Sequence, residues 1–273
     1  MEQLDLLVSL DENYLPQLRV MLTSLILNDP DVRLRVFFLH RAVPEAALDE
    51  LGRALARHGH ELVPVRVDDR LFEGAPVNRY YSQEMYYRLL AAQLLPPDVD
   101  RVLYLDPDIL VINPLTELWH TDMNGALFAA ASHSGRAELA DGVNRVRLGT
   151  DHPYYNSGVL LIDLAQCRSE IHAAEIFEYV ADNAAELLLP DQDVLNALYG
   201  NRIQPVDDLL WNYDARNYAD YFMFTHGEAS VPWVMEHTAI LHFCGRAKPW
   251  KPNYRHRFGV LYRHYMQLEK RLL

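Results

Sequence analysis

Short apolar runs alternate along this chain with stretches whose apolar positions recur every three or four residues. Leu6-Leu7-Val8-Ser9-Leu10 reads as a buried strand. After Asp11-Glu12-Asn13-Tyr14 comes a helical pattern with Leu18, Met21, Leu22 and Leu25 on one face. Residues 34–39 predict a second strand and residues 44–58 a helix with Leu48, Leu51 and Leu55 inward, Pro44 suiting its first turn. Residues 62–65 predict a third strand. Strand, helix, strand, helix, strand is the pattern of a parallel sheet, and the chain is expected to be α/β. Residues 82–94 predict a further helix, with Ser82 as cap, Glu84 in the first turn, and Met85, Leu89 and Leu90 inward, ending at Pro96-Pro97.

The stretch that follows carries the first candidate chemistry. Val102-Leu103-Tyr104-Leu105 reads as a buried strand, and Asp106-Pro107-Asp108 comes directly after it. In an extended backbone, residues i and i+2 point to the same side, so the two carboxylates face one region of space. Pro107 has no N–H for a sheet ladder and ends the strand there. Ligands of open α/β sheets bind at the carboxyl ends of strands, and two like charges held close are relieved by a divalent cation. Without the apolar run before it, the same tripeptide would read as a solvated turn.

Beyond it, residues 126–130 predict a strand. The polar segment 133–151, with Gly135, Gly142 and Gly149, predicts a functional loop or lid. Tyr155-Asn156-Ser157-Gly158 leads into a strand at 159–162, and its small residues admit either a ligand near the backbone or a plain turn. Helices are expected at 171–188 and from Pro190-Asp191-Gln192-Asp193 onward, where acids in the first turn suit the helix dipole. The aromatic-rich stretch 211–233 reads as core, as a subunit contact or as a platform beneath a sugar ring. Ala239-Ile240-Leu241-His242-Phe243-Cys244-Gly245 is a short strand ending in glycine, with Lys248-Pro249-Trp250 just after it. That order offers an imidazole for a metal, a bare backbone near an anion and a cation beside a phosphate. Residues 253–273 predict an amphipathic helix that is basic on its polar side, either docked on the fold or lying at a membrane surface.

Composition narrows the classes. The chain has 273 residues, half of them hydrophobic, which suits one large domain or one domain with an appendage. Its formal net charge of −13 opposes nucleic-acid binding, which needs basic surface. The first strand is not followed by Gly-x-Gly-x-x-Gly, which argues against a dinucleotide fold. Two cysteines far apart, Cys167 and Cys244, give no disulfide framework or zinc spacing, so a reducing cytoplasm is the default. The beginning of the sequence has no basic, apolar leader pattern, and no apolar run reaches membrane-spanning length.

Taken in order, Asp11-Glu12-Asn13-Tyr14, Tyr86-Tyr87-Arg88-Leu89, Tyr104-Leu105-Asp106-Pro107-Asp108, Tyr155-Asn156-Ser157-Gly158-Val159, Asp191-Gln192-Asp193 and His242-Phe243-Cys244-Gly245-x-x-Lys248-Pro249-Trp250 resemble family 8 of the retaining glycosyltransferases. The bacterial lipooligosaccharide galactosyltransferases are the nearest type, with glycogenin and galactinol synthase more distant. The resemblance implies a GT-A fold, a mixed central sheet flanked by helices, in a domain of residues 1–250 with the helix 251–273 packed on it. It implies a UDP-sugar donor, with glucose or galactose, and a Mn²⁺ ion (Mg²⁺ as the alternative) held by Asp106, Asp108 and His242. By the same likeness Asp11, Asn13 and Tyr14 lie by the uridine, Arg88, Asn156, Gly158, Asp191 and Gln192 hold the donor sugar, and Gly245 and Lys248 hold the diphosphate.

The implied reaction transfers a hexose with retention to a glycan or glycolipid acceptor in cell-surface polysaccharide synthesis, at the cytoplasmic face with peripheral membrane contact. Gln192 stands where the family places a residue beneath the sugar. An amide is a poor nucleophile, so front-face attack is expected, with Asp191 or Asp193 as a covalent nucleophile the alternative. Leu189 and Pro190 replace polar or aromatic acceptor-facing groups of the lipooligosaccharide enzymes. Two rivals remain. One is a sugar-nucleotide-binding protein without turnover. The other is an aspartate-nucleophile phosphatase, which wants a threonine where Ile109 and Leu110 stand.

Overall fold

The computed structural model of the chain describes residues 1–72, 84–132 and 137–273. Its strands are β1 (Glu2–Ser9), β2 (Val32–His40), β3 (Glu61–Arg66), β4 (Arg101–Leu105), β5 (Ile109–Val111), β6 (Phe128–Ala130), β7 (Val159–Asp163), β8 (Ile203–Pro205), β9 (Tyr213–Asp214) and β10 (Ile240–His242). They form a seven-stranded sheet in the order β3-β2-β1-β4-β7-β6-β8 and a three-stranded sheet in the order β5-β10-β9. In the large sheet β3, β2, β1 and β4 are parallel, while β7 runs antiparallel to both β4 and β6. The sheet is therefore mixed, as expected.

The continuous apolar runs follow from burial on both faces. Leu6, Val36, Phe38 and Leu103 pack on one side against Leu18, Met21, Leu22 and Leu25 of the helix Leu15–Asn28. Leu7, Phe37, Tyr104 and Leu160 pack on the other against Tyr86, Tyr87, Val194 and Leu195. Pro64, which lacks a donor, sits on edge strand β3. A third cluster, with Leu110, Tyr213, Tyr221, Leu241, Phe243 and Tyr262, lies under the small sheet.

The helix Gly259–Leu272 docks through its apolar side. Tyr262 and Tyr265 are buried while Arg263, Lys270 and Arg271 are exposed. The Asn28 side chain donates to Tyr265 Oη at 2.7 Å, and Arg19 pairs with Glu269 at 2.5 Å. Among the described residues, no helix is long and apolar enough to cross a membrane.

Several elements differ from expectation. The helix expected at 82–94 is two short ones, Glu84–Tyr87 and Ala91–Leu94. The break falls at Arg88, whose guanidinium turns toward Asp106 and Asp191. Ser82 and Gly135 lie outside the described residues, as do the side chains of Glu84 and Met85. The helix expected at 171–188 is the shorter Ala173–Asn183, and a separate helix, Leu164–Glu170, precedes it, capped by the Asp163 carboxylate accepting from the Gln166 N–H at 2.9 Å. Residues 137–148 of the polar segment form a helix rather than a loop. In the aromatic stretch Tyr213 and Tyr221 are core, while Phe222 and Phe224 are exposed.

Candidate active site

The chain crosses from the large sheet to the small one through Asp106, Pro107 and Asp108, between the end of β4 and the start of β5. Backbone bonds clamp both acids. The Asp106 N–H donates to Gly158 O at 2.8 Å, and the Phe243 N–H donates to Asp108 O at 2.9 Å. β10 runs antiparallel to β5 with His242 opposite Ile109, which brings the imidazole beside Asp108. His242 Nε2 lies 3.3 Å from Asp108 Oδ1 and 3.9 Å from Asp106 Oδ2. One ligand atom from each of the three residues lies within 4.8 Å of the others.

The electrostatics are those of a site built for compensated charge. Asp108 and His242 are buried. Burial alone would raise the Asp108 pKa, but His242 and Lys248 more than offset it and hold the carboxyl well below its usual range. Burial disfavours the His242 charge, yet Cys244 and Asp108 beside it push its pKa up. Lys248 Nζ donates to Asp108 Oδ2 and, at 3.1 Å, to Phe243 O. His242 Nδ1 is engaged by Asn212 Oδ1 at 2.8 Å, which leaves Nε2 facing the acids. Two carboxylates and one imidazole, with the far ring nitrogen occupied, fit a hard divalent cation.

Arg88 ties the acid pair to a second region. It lies 3.2 Å from Asp106 Oδ1 and 3.1 Å from Asp191 Oδ2, donates to Ser157 O at 2.9 Å, and stacks 4.4 Å from the Tyr104 ring. Tyr104 Oη donates to Asp106 Oδ1 at 2.7 Å, and Ser157 Oγ to Asp191 Oδ2 at 2.9 Å. Burial opposes the Arg88 charge, but Asp106, Tyr104 and Asp191 outweigh it and raise its pKa.

Gly158 is a glycine because Asp106 and His242 crowd it. A Cβ there would lie 2.4 Å from His242 Cε1 and 2.7 Å from Asp106 Oδ2. Asn156 reaches Gln192, its Nδ2 donating to Gln192 Oε1 at 3.0 Å. The predicted residues Arg88, Asp106, Asp108, Asn156, Gly158, Asp191, Gln192, His242 and Lys248 are thus joined in one network.

A cavity of about 400 Å³ opens on this network, lined by Asp11, Tyr14, Arg88, Asp106, Asp108 and Lys248 among others. Asn13 and Gly245 line a neighbouring cavity of about 410 Å³ that shares Tyr14 and Lys248. The Asp11 carboxylate accepts from the Asn13 N–H at 2.9 Å, so it caps the turn before the helix Leu15–Asn28 while facing the cavity. Gly245 has φ +79°, and a Cβ there would meet Arg216 Nη1 at 2.3 Å.

Asp193 sits apart from the cavity. It is fully buried; Oδ1 accepts from Tyr154 Oη and Arg147 Nη2, and Oδ2 from Arg147 Nη1 and the Leu188 and Leu189 N–H groups.

Residues 5–253 match glycosyl transferase family 8. The chain belongs to that family. It is 27% identical to General stress protein A of Bacillus subtilis, over 95% of this chain and 92% of that protein. It is 26% identical to the lipopolysaccharide 1,2-glucosyltransferase of Escherichia coli K12 (91% of this chain, 73% of that one). It is 25% identical to the lipopolysaccharide 1,3-galactosyltransferase of Salmonella typhimurium, with the same shares. Its fold superposes with a TM-score of 0.82 on the galactosyltransferase LgtC, solved in complex with donor and acceptor sugar analogues. The identity there is 27%, over 97% of this chain and 96% of LgtC. This family 8 member is a glycosyltransferase with the GT-A fold.

Reading the sequence missed three participants in the site of this family 8 chain. Tyr104 and Ser157 lay inside motifs singled out for other residues. Asn212, buried between the helix Asp208–Trp211 and β9, carried no signal at all.

Proposed function

We propose that this chain is a metal-dependent retaining hexosyltransferase that moves glucose or galactose from a UDP-sugar to a cell-surface glycan or glycolipid. The observation that carries the reading is that Asp106 and Asp108, grouped with the buried His242, line with Lys248 the cavity that Asp11, Tyr14 and Arg88 also line. The lipopolysaccharide glucosyl- and galactosyltransferase relatives support both the hexose and the acceptor class.

Asp106, Asp108 and His242 would hold Mn²⁺, or Mg²⁺ in its place. A cation held there would neutralise charge that grows on the leaving diphosphate. Lys248 adds positive charge to the same wall, anchored at Asp108 and the Phe243 carbonyl. Asp11, Asn13 and Tyr14 take the uridine end, and Gly245 flanks the diphosphate. Arg88 holds Asp106 and Asp191 in register, so donor-sugar residues and cation ligands keep a fixed separation. Gln192 lies beneath the sugar, and Arg88, Asn156, Gly158 and Asp191 hold the donor sugar with it.

Front-face attack, the leaving phosphate taking the acceptor's proton, suits these residues. Gln192 is an amide, Asp191 is engaged by Arg88 and Ser157, and both Asp193 oxygens are filled from within the fold. Residues 1–250 act as the transferase domain and 251–273 as a helix docked on it. The exposed Arg263, Lys270 and Arg271 of that helix suit peripheral contact with an anionic inner membrane face, where the acceptor is presented.

The test is release of UDP from a panel of UDP-sugars without acceptor, in Mn²⁺ or in EDTA. Slow hydrolysis of UDP-glucose or UDP-galactose, lost in EDTA, is the expected result. Turnover of no donor, with UDP still bound, would favour a sugar-nucleotide-binding protein without turnover.

A further inference from the structure

A chain of side-chain amides runs beneath the acid pair, and its polarity is set by one backbone group. The Gly158 N–H donates to Asn156 Oδ1 at 2.9 Å. A backbone N–H can only donate, so this contact fixes which end of the Asn156 amide is oxygen. The same oxygen accepts from Asn212 Nδ2 at 2.9 Å. The Asn212 amide is thereby oriented as well, with its oxygen on the opposite side, 2.8 Å from His242 Nδ1. An amide oxygen only accepts, so Nδ1 must carry the hydrogen. Nε2 is then the nitrogen turned toward Asp106 and Asp108, and the one whose lone pair a cation would take.

We infer that Asn212 is a positioning residue that fixes the ring orientation and the Nδ1–H tautomer of His242, holding Nε2 ready for the cation. The inference rests on the metal-dependent reading given above. Asn212 touches neither the cavity nor the carboxylates; its side chain is fully buried and acts through His242. The other end of the chain reaches the donor-sugar side. Asn156 Nδ2 donates to Gln192 Oε1 at 3.0 Å, so the Gln192 amide takes its orientation from the same Gly158 N–H. One backbone donor thus sets the presentation of a cation ligand and of the residue beneath the sugar. Gly158 serves twice: its N–H starts the chain, and its lack of a Cβ leaves room for the His242 ring.

The substitutions Asn212→Ala and Asn212→Asp separate this role from a general structural one. Asn212→Ala removes the acceptor for the Nδ1–H. Asn212→Asp keeps an acceptor there, now charged, and replaces the donor to Asn156 with a second oxygen. The measurement is Mn²⁺ binding by calorimetry at a fixed UDP concentration, alongside thermal unfolding of each protein. Asn212→Ala is expected to weaken Mn²⁺ binding by about 10- to 100-fold, the usual effect of losing such a partner, and Asn212→Asp to keep it close to the unsubstituted chain. Two results would overturn the inference: a folded Asn212→Ala protein that binds Mn²⁺ as tightly as the unsubstituted chain, or an Asn212→Asp protein as weak as Asn212→Ala. Should Asn212→Ala not fold, Asn212→Asp decides by itself, since a loss of 10-fold or more in that protein would contradict the role. If the unsubstituted chain binds no Mn²⁺, the metal-dependent reading itself has failed, a result distinct from either.

Discussion

The carboxylates of Asp191 and Asp193 stand two residues apart in the sequence and serve different ends. Asp191 faces Arg88 and Ser157 in the site network, whereas Asp193 is sealed against Arg147, Tyr154 and two backbone N–H groups. Breaking one side of a buried ion pair costs about 3–5 kcal/mol. Asp193→Ala is therefore expected to lower stability by about that amount, seen as a drop in the denaturant midpoint; an unchanged midpoint would contradict a structural role. Gln192→Ala is expected to reduce transfer without abolishing it, because in the proposed reaction the amide positions the sugar and does not form a bond to it. A complete loss with UDP binding intact would speak for a more direct role. At Gly158 the added methyl of Gly158→Ala meets His242 and Asp106. The expected outcome is weakened Mn²⁺ binding in a chain whose large sheet still folds, checked by calorimetry and circular dichroism.

At the scale of elements, β2 and the loop before β3 are joined by His60, whose Nδ1 accepts the Leu34 N–H at 3.1 Å. Accepting requires a neutral ring at that nitrogen. Burial lowers the His60 pKa from its ordinary 6.5, with His58 and Arg33 acting the same way. The unfolded chain then takes up a proton at His60 before the folded one does. This contribution to stability is complete above about pH 6.5 and falls as the pH drops below it, toward the lowered folded pKa. Unfolding midpoints measured from pH 7.5 to 5 should decline, and His60→Gln should flatten part of that decline; parallel curves for the two proteins would contradict it.

The same scale shows what was legible in the sequence. Strands β1, β2, β4 and β7 announce themselves because burial on both faces demands unbroken apolar runs. Strands β5, β8 and β9 are three residues or fewer; β6 and β10 are as short, but lie within the apolar runs that were read as strands. The site followed the same division. Asp106 and Asp108 were readable as a pair because i and i+2 share a side. Their meeting with His242 depends on the β5–β10 register, which no local pattern carries, and was anticipated only through the family resemblance. Asn212 escaped notice because its role lies in the orientation of an amide.

For the whole molecule, two sheets meet at one crossing, and the proposed cation ligands sit there: Asp106 leaves the large sheet, Asp108 enters the small one, and His242 comes from the small sheet's central strand. Removal of the cation should leave the folded core intact and cost donor binding, because the ligands are already clamped by backbone bonds from both sheets. The most direct measurement is calorimetric binding of UDP in Mn²⁺ and in EDTA, for the unsubstituted chain and for Asp108→Ala. The account predicts binding in Mn²⁺ that is lost in EDTA and lost in the variant. UDP binding of equal strength in EDTA, or in Asp108→Ala, would contradict it.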